Sequence, residues 1–226
     1  MIKKILTGTA VISVVLTGCG NKPNNSQLSE PSESSESETM EISSEITEEI
    51  PTERIREIES IENFEYEILD GKATVTKYTG TSVNVEIPDK IDGMPVTKIG
   101  FYSFEAKYGI ESVTLPETVE FICEGAFMDC ASMKTINIPE AVTGIERSAF
   151  AACTSLESLV IPQNTNFIQM EAFTACDSMT SLTINNPDLE YEDWGLEELP
   201  NLTIYASENS VVYKWAAEKD FNIQPV

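Results

Sequence analysis

Three consecutive 23-residue segments of this chain are near-copies of one another. They read PETVEFICEGAFMDCASMKTINI at 116–138, PEAVTGIERSAFAACTSLESLVI at 139–161 and PQNTNFIQMEAFTACDSMTSLTI at 162–184. A fixed period of about 20–29 residues with leucine-type spacing is the mark of a stacked solenoid. One unit cannot bury its apolar face alone, so its neighbours must supply the core. The repeat therefore predicts one continuous interior and argues against an enclosed catalytic pocket.

The end of each copy has the pattern of a β-strand. The last two apolar residues lie two positions apart, which is the period of a strand with one buried face. A proline adjoins each strand and ends it, at Pro116, Pro139 and Pro162. Earlier in each copy an Ala-Phe pair precedes a cysteine, and a short helical or 3-10 turn there would point the phenylalanine inward. The residues concerned are Phe127, Phe150 and Phe173, with Cys130, Cys153 and Cys176.

The register extends beyond the three clean copies. The unit that ends at Leu115 carries a five-residue insertion between Pro88 and Val96. The unit that ends at Ile204 repeats the strand spacing seen before Ile184, but it is shorter than the period by three residues. Atypical outer units are what the capping of a solenoid requires.

Both ends of the array have cap signals. Residues 64–68 alternate apolar and polar side chains before Asp70-Gly71, a dipeptide typical of a tight hairpin turn. At the other end a helix is expected to start near Ser207 or Asn209 and to place Trp215 against the last unit. We expect an N-terminal β-hairpin cap and a C-terminal helix cap.

The pattern IP-x-x-V-x-x-I-x-x-x-AF-x-x-C-x-x-L-x-x-L-x-IP resembles the BspA-like leucine-rich repeats of bacterial surface proteins. The approach to the array, at 70–78 and 85–100, is similar to that family's N-terminal entry, and the match covers roughly residues 64–226. The resemblance implies a leucine-rich repeat solenoid with short parallel strands on one face and irregular, 3-10 or short helical returns. It also implies a role in adhesion or in binding host, matrix or neighbouring-cell proteins.

Residues 1–19 have the pattern of a secretory signal. Lys3 and Lys4 precede an apolar run at 5–16 that is too short to span a bilayer. The tetrapeptide 16–19, Leu-Thr-Gly-Cys, resembles the bacterial lipobox, which implies that Cys19 is lipidated and becomes the mature N-terminus. The alternative is an ordinary cleavable signal with a chance cysteine. We expect an extracytoplasmic protein held by lipid on the bacterial cell membrane or surface.

Residues 20–62 predict a disordered acidic tether. The segment is rich in Ser and Glu, poor in aromatics, and carries three basic against twelve acidic residues, so it cannot bury enough apolar surface to fold. Isoleucines at helical spacing, beginning at Ile42, leave short helices open as an alternative. Residues 63–226 then form the leucine-rich repeat domain with its caps.

The chain contains no histidine. Its absence removes Ser-His-Asp and Cys-His nucleophiles, His-ligated zinc and the HExxH helix. No GxGxxG or GxxxxGK[ST] motif occurs either, so phosphate-cradling loops are not indicated. The acidic residues show no EF-hand spacing. We therefore predict no enzymatic activity, no cofactor and no dedicated metal site, and keep a hydrolase as the least favoured alternative.

The net charge of the chain is −24. Residues 63–226 contribute 9 basic and 26 acidic side chains, a net of −17. Such a surface repels nucleic-acid phosphates and anionic lipid, so we expect no nucleic-acid partner and assign membrane attachment to the lipid on Cys19 alone. We expect a monomer.

The repeated cysteines allow two interpretations. Stacking would place Cys130, Cys153 and Cys176 in one column with about 5 Å between neighbours, which a disulfide tolerates. Parallel side chains inside a core make that bond awkward, so we favour small apolar residues that fill the interior. The redox state of Cys123 stays open.

Residues between the buried strand positions face outward. They form a flat surface of small, hydroxylated side chains with few charges, and this surface is the predicted ligand face. It comprises Ser112, Thr114, Thr135, Asn137, Ser158, Val160, Ser181, Thr183 and Thr203. Exposed aromatics, which would indicate carbohydrate stacking, are not expected there, so an extracellular protein is the favoured ligand over a glycan. The alternative function is a passive envelope spacer or scaffold without a dedicated ligand.

Overall fold

The computed structural model describes residues 60–199 and 201–226. Over these ranges the chain forms a solenoid of about seven turns, and most neighbouring strands are parallel. A 3-10 turn at Ile61–Asn63 leads into the first strand. The signal segment, Cys19 and nearly all of the tether lie outside the described residues.

Two antiparallel strands begin the domain, and the first parallel rungs follow. The strands of this part are β1 Phe64–Leu69, β2 Lys72–Tyr78, β3 Asn84–Glu86, β4 Lys90–Ile91 and β5 Met94–Ile99. Asp70 and Gly71 connect β1 to β2 with φ of 51° and 74°, the left-handed backbone that a two-residue hairpin requires. The predicted hairpin cap is confirmed. Its Phe64 and Tyr78 are buried, and the Tyr78 ring stacks on Phe104 at 5.1 Å between centroids.

The repeats that follow contribute two strands each. In chain order these are β6 Ser112–Thr114, β7 Phe121–Ile122, β8 Thr135–Ile136, β9 Gly144–Ile145, β10 Ser158–Ile161, β11 Phe167–Ile168, β12 Ser181–Ile184, β13 Glu190–Tyr191 and β14 Thr203–Ala206. The strand predicted at the end of each unit is present. The second strand, on the return path, was not predicted; it spans only two positions and shows no alternation that a sequence pattern could detect.

The two sets of strands form two separate surfaces. We call the continuous order β1-β2-β5-β7-β9-β11-β13, with β4 paired to β5, the return sheet. We call the opposite set the strand face; it consists of a three-stranded sheet β3-β6-β8 and a four-stranded sheet β10-β12-β14-β15, in which β15 is the last strand of the chain, Asn222–Pro225. Asn84 of β3 pairs with Ser112 of β6, a separation equal to the repeat period plus the five inserted residues. The insertion itself folds as β4 and its turn onto β5.

Stacked phenylalanines fill the interior between the two surfaces. Phe104, Phe127, Phe150 and Phe173 are fully buried, and successive ring centroids lie 5.0, 5.6 and 5.9 Å apart. Each backbone N–H of this column donates to the next unit, as Phe127 does to the carbonyl of Ala149 at 2.8 Å. Rings stacked this way contribute dispersion and burial from every rung, so the core is shared along the whole array.

The Ala-Phe segments are chains of tight turns rather than continuous helices. Within each, i→i+3 backbone bonds such as Met128 N–H to Gly125 O close single turns. Two residues per unit take the left-handed conformation, which stops the turn from propagating as a helix. One column comprises Tyr102, Gly125, Ser148 and Glu171, and the other comprises Ala106, Asp129, Ala152 and Ala175.

The C-terminal end is closed by the helix α1, Val211–Glu218, and the final strand β15, Asn222–Pro225. The predicted helix cap is present, but the helix begins just after both of its expected starts, because the buried Ser210 hydroxyl accepts the Tyr213 N–H at 3.0 Å. Trp215 packs on Phe221 at 5.1 Å between ring centroids. In the described ranges, no helix has the length and apolar character needed to cross a membrane.

One expectation about the last unit is wrong. The sequence spacing aligned Leu202 with Leu182, but the structure pairs Leu182 with Ile204, two positions further along the chain. The reason lies in the preceding turn, where the Leu202 N–H bonds Leu199 O as the Met179 N–H bonds Cys176 O. Leu202 is therefore the last turn residue, and the apolar positions of the strand are Ile204 and Ala206.

Candidate recognition surface

The outward side chains of the strand face form two rows. The first row comprises Asn84, Ser112, Thr135, Ser158, Ser181, Thr203 and Asn222. The second comprises Glu86, Thr114, Asn137, Val160, Thr183, Tyr205 and Gln224. Paired strands lie about 4.8 Å apart, so the rows repeat at that spacing within each of the two sheets. The first row contains no charged residue, and the second contains one.

All nine predicted face residues lie on this surface. Five of them are exposed, namely Thr114, Thr135, Asn137, Ser158 and Val160; the half-buried ones are Ser112, Ser181, Thr183 and Thr203. Their common placement follows from the alternation of the strands, in which the residues between them point into the core. A ligand role for each of them stays a prediction.

The corrected register changes the end of both rows. Thr203 pairs with Ser181 and so belongs to the first row, and the residue next to Thr183 is Tyr205. The face therefore includes a half-buried aromatic ring, Tyr205, that the repeat spacing did not predict. Asn222 and Gln224 were also missed, because β15 follows a helix and has no repeat that would reveal it. Asn84 could have been predicted from the sequence, because it precedes Ser112 by the repeat period plus the five inserted residues.

Two predicted face residues already have partners within the chain. The Asn137 side chain bonds both backbone groups of Leu115: its Oδ1 accepts the N–H at 2.7 Å, and its Nδ2 donates to the carbonyl at 2.9 Å. The Ser112 hydroxyl donates to Asn84 Oδ1 at 2.6 Å. These side chains stabilise the sheet, so they are poorer candidates for ligand contact than Thr135, Ser158 or Thr183.

The break in the strand face lies beside Asn137. β8 ends at Ile136, and β8 and β10 are not joined in one sheet, although β10 to β15 are continuous. The Asn137 amide occupies backbone groups of Leu115 that a further residue of β8 would otherwise bond. Val160, the next residue of the second row, is 53% exposed, so an apolar side chain stands open beside the break.

A short charged column borders the face. Lys134 Nζ lies 2.8 Å from Glu111 Oε2, and Glu157 follows in the next unit. The hydrogen bond to Glu111 raises the pKa of the Lys134 amine. Both partners are about half exposed, so the pair sets local charge more than it stabilises the fold.

Two open polar depressions lie away from the strand face. One, of about 470 Å³, is lined by Glu171, Thr174, Asp193, Gly195, Glu197 and Glu198. The other, of about 500 Å³, is lined by Gln163, Asn164, Asn166, Asn186, Pro187, Asp188 and Glu190. Within the described part of the chain, no group of three or more Cys, Asp or Glu side chains has an arrangement that could hold a metal ion.

The cysteines of the repeat are free thiols in the interior. Cys130, Cys153 and Cys176 each donate to the carbonyl of a phenylalanine in the preceding unit, at 3.2 Å. Burial raises the pKa of Cys130 and of Cys176 to about 12, and it raises that of Cys153 well above its ordinary value. Cys123 is also buried and free, with its pKa raised to about 11 mainly by burial. The preferred interpretation, small residues filling the core, agrees with this placement.

Comparison with known proteins identifies the repeat. The family model of the BspA-type leucine-rich repeat region matches residues 77–210 in six copies. The chain belongs to this family. Its repeats are the BspA-type units inferred from the Ala-Phe-x-x-Cys pattern, and proteins with such repeats are generally non-enzymatic binding proteins.

Solved structures agree on the fold of this BspA-type chain. A leucine-rich repeat protein of T. pallidum is similar over 66% of this chain and 71% of its own, with a TM-score of 0.60 and 24% identity. A leucine-rich repeat protein from Bacteroides capillosus ATCC 29799 is similar over 55% of this chain and 96% of its own, with a TM-score of 0.50 and 27% identity. Comparison with curated proteins gave no match.

Proposed function

We propose that this chain is a non-catalytic, lipid-anchored surface protein that binds extracellular protein partners through its strand face. The observation that carries the proposal is the pair of nearly uncharged rows on that face. Residues 63–226 hold 26 acidic side chains, yet only Glu86 among the fourteen row positions is charged. Depletion of charge at the centre of a surface is typical of protein–protein interfaces.

The chemistry of the two rows suits a protein ligand. Serine, threonine and asparagine side chains offer hydrogen-bond donors and acceptors at a regular spacing, and a partner's backbone can use both. Val160 and Tyr205 add apolar area to an otherwise hydroxylated surface. Tyrosine is enriched at interface hot spots, so we expect Tyr205 to contribute more than any single hydroxyl.

The anchor and the location are part of the same proposal. Cys19 lies in a lipobox-like tetrapeptide after a short apolar run, and multiple acyl chains hold a protein on a membrane far more firmly than one chain does. The acidic segment 20–62 would then separate the solenoid from the membrane. The net charge leaves nucleic acid as an unsuitable partner. We propose that the chain acts as a monomer.

The strand face can be tested with two matched triple variants. In the first, Thr135→Glu, Ser158→Glu and Thr183→Glu place three charges on the rows while leaving the structural Asn137 intact. The control triple, Gln163→Glu, Asn166→Glu and Asn209→Glu, adds the same charge at exposed positions elsewhere. Full-length chain of each kind is incubated with extracellular matrix proteins and with surface-protein extracts, and captured proteins are quantified by mass spectrometry.

We expect at least a tenfold loss of specific capture for the strand-face triple, because each charge buried by the partner would lack a counter-charge. The control triple should capture the same proteins as the wild-type chain. Equal capture by both triples would assign recognition to another surface. No specific capture by any form would favour the spacer or scaffold interpretation.

The anchor has its own test. Cells expressing the chain are fed an alkyne fatty acid, and label on the protein is measured beside its distribution between membrane and medium. Cys19→Ala should abolish the label and release the protein into the medium. A labelled Cys19→Ala chain, or an unlabelled wild-type chain, would show that the cysteine is not the lipid attachment site.

A further inference from the structure

Three aromatic side chains of the first unit are open to solvent. Phe101 is 63% exposed, Tyr102 is 42% exposed and Tyr108 is 59% exposed. All three lie in the turn segment after β5, not on the strand face. Phe101 and Tyr102 are consecutive, and the corresponding positions of the next two units hold Glu124-Gly125 and Arg147-Ser148. The first unit thus replaces polar and small residues with two large rings.

The Tyr102 ring lies against the backbone of the next unit. A Cβ added to Gly125 would overlap three ring carbons of Tyr102, so the ring covers the glycine. Tyr102 itself has φ of 52°, a left-handed backbone that costs energy for a bulky residue. Gly125 takes φ of 61° at the equivalent position without that cost. Ser148 and Glu171 take the same left-handed conformation in the following units, so the backbone belongs to the repeat, and what is particular to the first unit is the large ring placed there.

A second contact fixes the same ring at its far end. The Tyr102 hydroxyl donates to Glu124 Oε1 at 2.7 Å. This hydrogen bond is the main reason that the pKa of Tyr102 is raised, with the Glu105 charge raising it further and Arg147 lowering it. The Tyr102 ring is therefore fixed by its contact with Gly125 and by the hydrogen bond of its hydroxyl, while 42% of the residue remains exposed to solvent. The charged groups that act on the Tyr102 hydroxyl are the carboxylates of Glu124 and Glu105 and the guanidinium of Arg147.

We propose that Phe101 and Tyr102 form an aromatic platform that binds a neutral glycan. The face of an aromatic ring is electron-rich, so it attracts the polarised C–H groups on the flat side of a sugar ring. Glu124 Oε1 already accepts the Tyr102 hydroxyl, so the carboxylate lies at the rim of the ring, where its other oxygen is available to accept from a sugar hydroxyl. Because the Tyr102 ring is already fixed in the free protein, little side-chain entropy is lost when a ligand binds to it.

The surroundings favour a neutral sugar over other occupants. Residues 63–226 carry 26 acidic against 9 basic side chains, so a sulfated, sialylated or uronic-acid glycan would be repelled. A protein partner would be expected to meet an apolar centre with few charges, whereas this platform has Glu105, Glu124 and Arg147 beside it. The platform is separate from the strand face, so it is independent of the function proposed above.

The test is an array of neutral and anionic glycans probed with the full-length chain, followed by calorimetric titration of the glycan that binds best. The informative variant is Tyr102→Gly, which removes the ring and gives the left-handed backbone the residue that the next unit uses, so the fold should be kept. Phe101→Ala removes the second ring. Tyr102→Phe keeps the ring and loses only the hydroxyl bond. Tyr108→Ala removes an exposed aromatic side chain outside the platform.

We expect binding to neutral glycans only, weakened at least tenfold by Tyr102→Gly and by Phe101→Ala. Tyr102→Phe should stay within about threefold of the wild type, because stacking needs the ring and not the hydroxyl. Tyr108→Ala and the strand-face triple should bind as the wild type does. The proposal is wrong if no neutral glycan binds, if anionic glycans bind better, or if folded Tyr102→Gly binds unchanged. Loss of protein capture in Tyr102→Gly without glycan binding would identify a protein contact instead.

Discussion

The return sheet and the strand face are built from the same repeats, yet only the return sheet is continuous. Its repeat strands span two positions each, but a side chain extends the pairing at three successive rungs. Glu146, Gln169 and Glu192 each accept a backbone N–H of the preceding unit, at 3.0, 3.1 and 2.9 Å. The strand face has longer strands in β10, β12 and β14, but within the described ranges it has only one comparable bond, from Asn137 to Leu115.

The return sheet therefore has a recurring supporting role within the repeat, whereas the outward residues of the strand face vary from unit to unit. On the return side a polar acceptor recurs in three successive units, so the repeat itself supports the pairing there. On the strand face the outward residues change from unit to unit, and the sheet tolerates a break without loss of the interior. Side chains that are not required for pairing are free to contact a ligand, which is a physical reason to look for recognition on the strand face.

The largest effect should come from the interior that the two surfaces share. Phe150→Ala removes the central ring of the stack, whose neighbours lie 5.6 and 5.9 Å away. We expect a loss of about 3–5 kcal/mol in the free energy of unfolding, from lost burial plus the cavity that remains. Denaturant unfolding followed by circular dichroism measures it. Val160→Ala on the strand face is the control, and an equal loss there would mean that the two regions are not energetically distinct.

Alkaline pH should weaken the same interior through the thiols. The pKa of Cys130 and of Cys176 is about 12 in the folded chain, against an ordinary value of 9.0. The neutral thiol is favoured in the folded state, so its stabilisation is complete below pH 9 and is lost as pH rises from 9 towards 12. The slope is about 1.4 kcal/mol per pH unit for each thiol in that window.

Unfolding free energies at pH 8, 9 and 10 test this dependence. The double variant Cys130→Ala, Cys176→Ala should be less stable at pH 8 but should lose less stability between pH 9 and 10 than the wild type does. Tyrosine and lysine titrate in the same range, so the difference between the two slopes is the quantity to compare. Equal slopes would contradict the assignment of the pH dependence to the buried thiols.

The interior was predictable from the sequence because the same positions of every unit are buried and therefore carry apolar residues. The Phe127, Phe150 and Phe173 positions, the strand at each unit end and the Asp70-Gly71 hairpin all follow from period and turn chemistry. The short strands of the return sheet were not predictable, because two residues are too few to show the alternation of apolar and polar side chains that indicates a strand. Tyr205 was missed because one deleted residue before β14 shifted the register, and only the backbone bonds of the preceding turn reveal it.

A smaller effect should come from Asn137, whose side chain bonds the backbone of the preceding unit on the strand face. Asn137→Leu leaves the N–H and the carbonyl of Leu115 without their partner, which should cost about 1–3 kcal/mol of unfolding free energy. Thr183→Leu is the matched control in the same outward row. Hydrogen exchange at the Leu115 amide should accelerate in Asn137→Leu and stay unchanged in Thr183→Leu. An unchanged Leu115 amide in both would mean that the break in the sheet does not depend on Asn137.

The smallest effect should come from the return sheet, where the supporting bond is repeated. Glu146→Ala leaves the Glu124 N–H without its acceptor. We expect a loss of about 1 kcal/mol of unfolding free energy, the net contribution of one ordinary hydrogen bond. Glu146→Gln should lose less, because Gln169 performs the same task one unit later with an amide oxygen at 3.1 Å from the Arg147 nitrogen. Thermal unfolding of the two variants gives the comparison. If Glu146→Gln is as unstable as Glu146→Ala, the carboxylate charge rather than the accepted hydrogen bond stabilises this side, and the return sheet would owe its continuity to electrostatics.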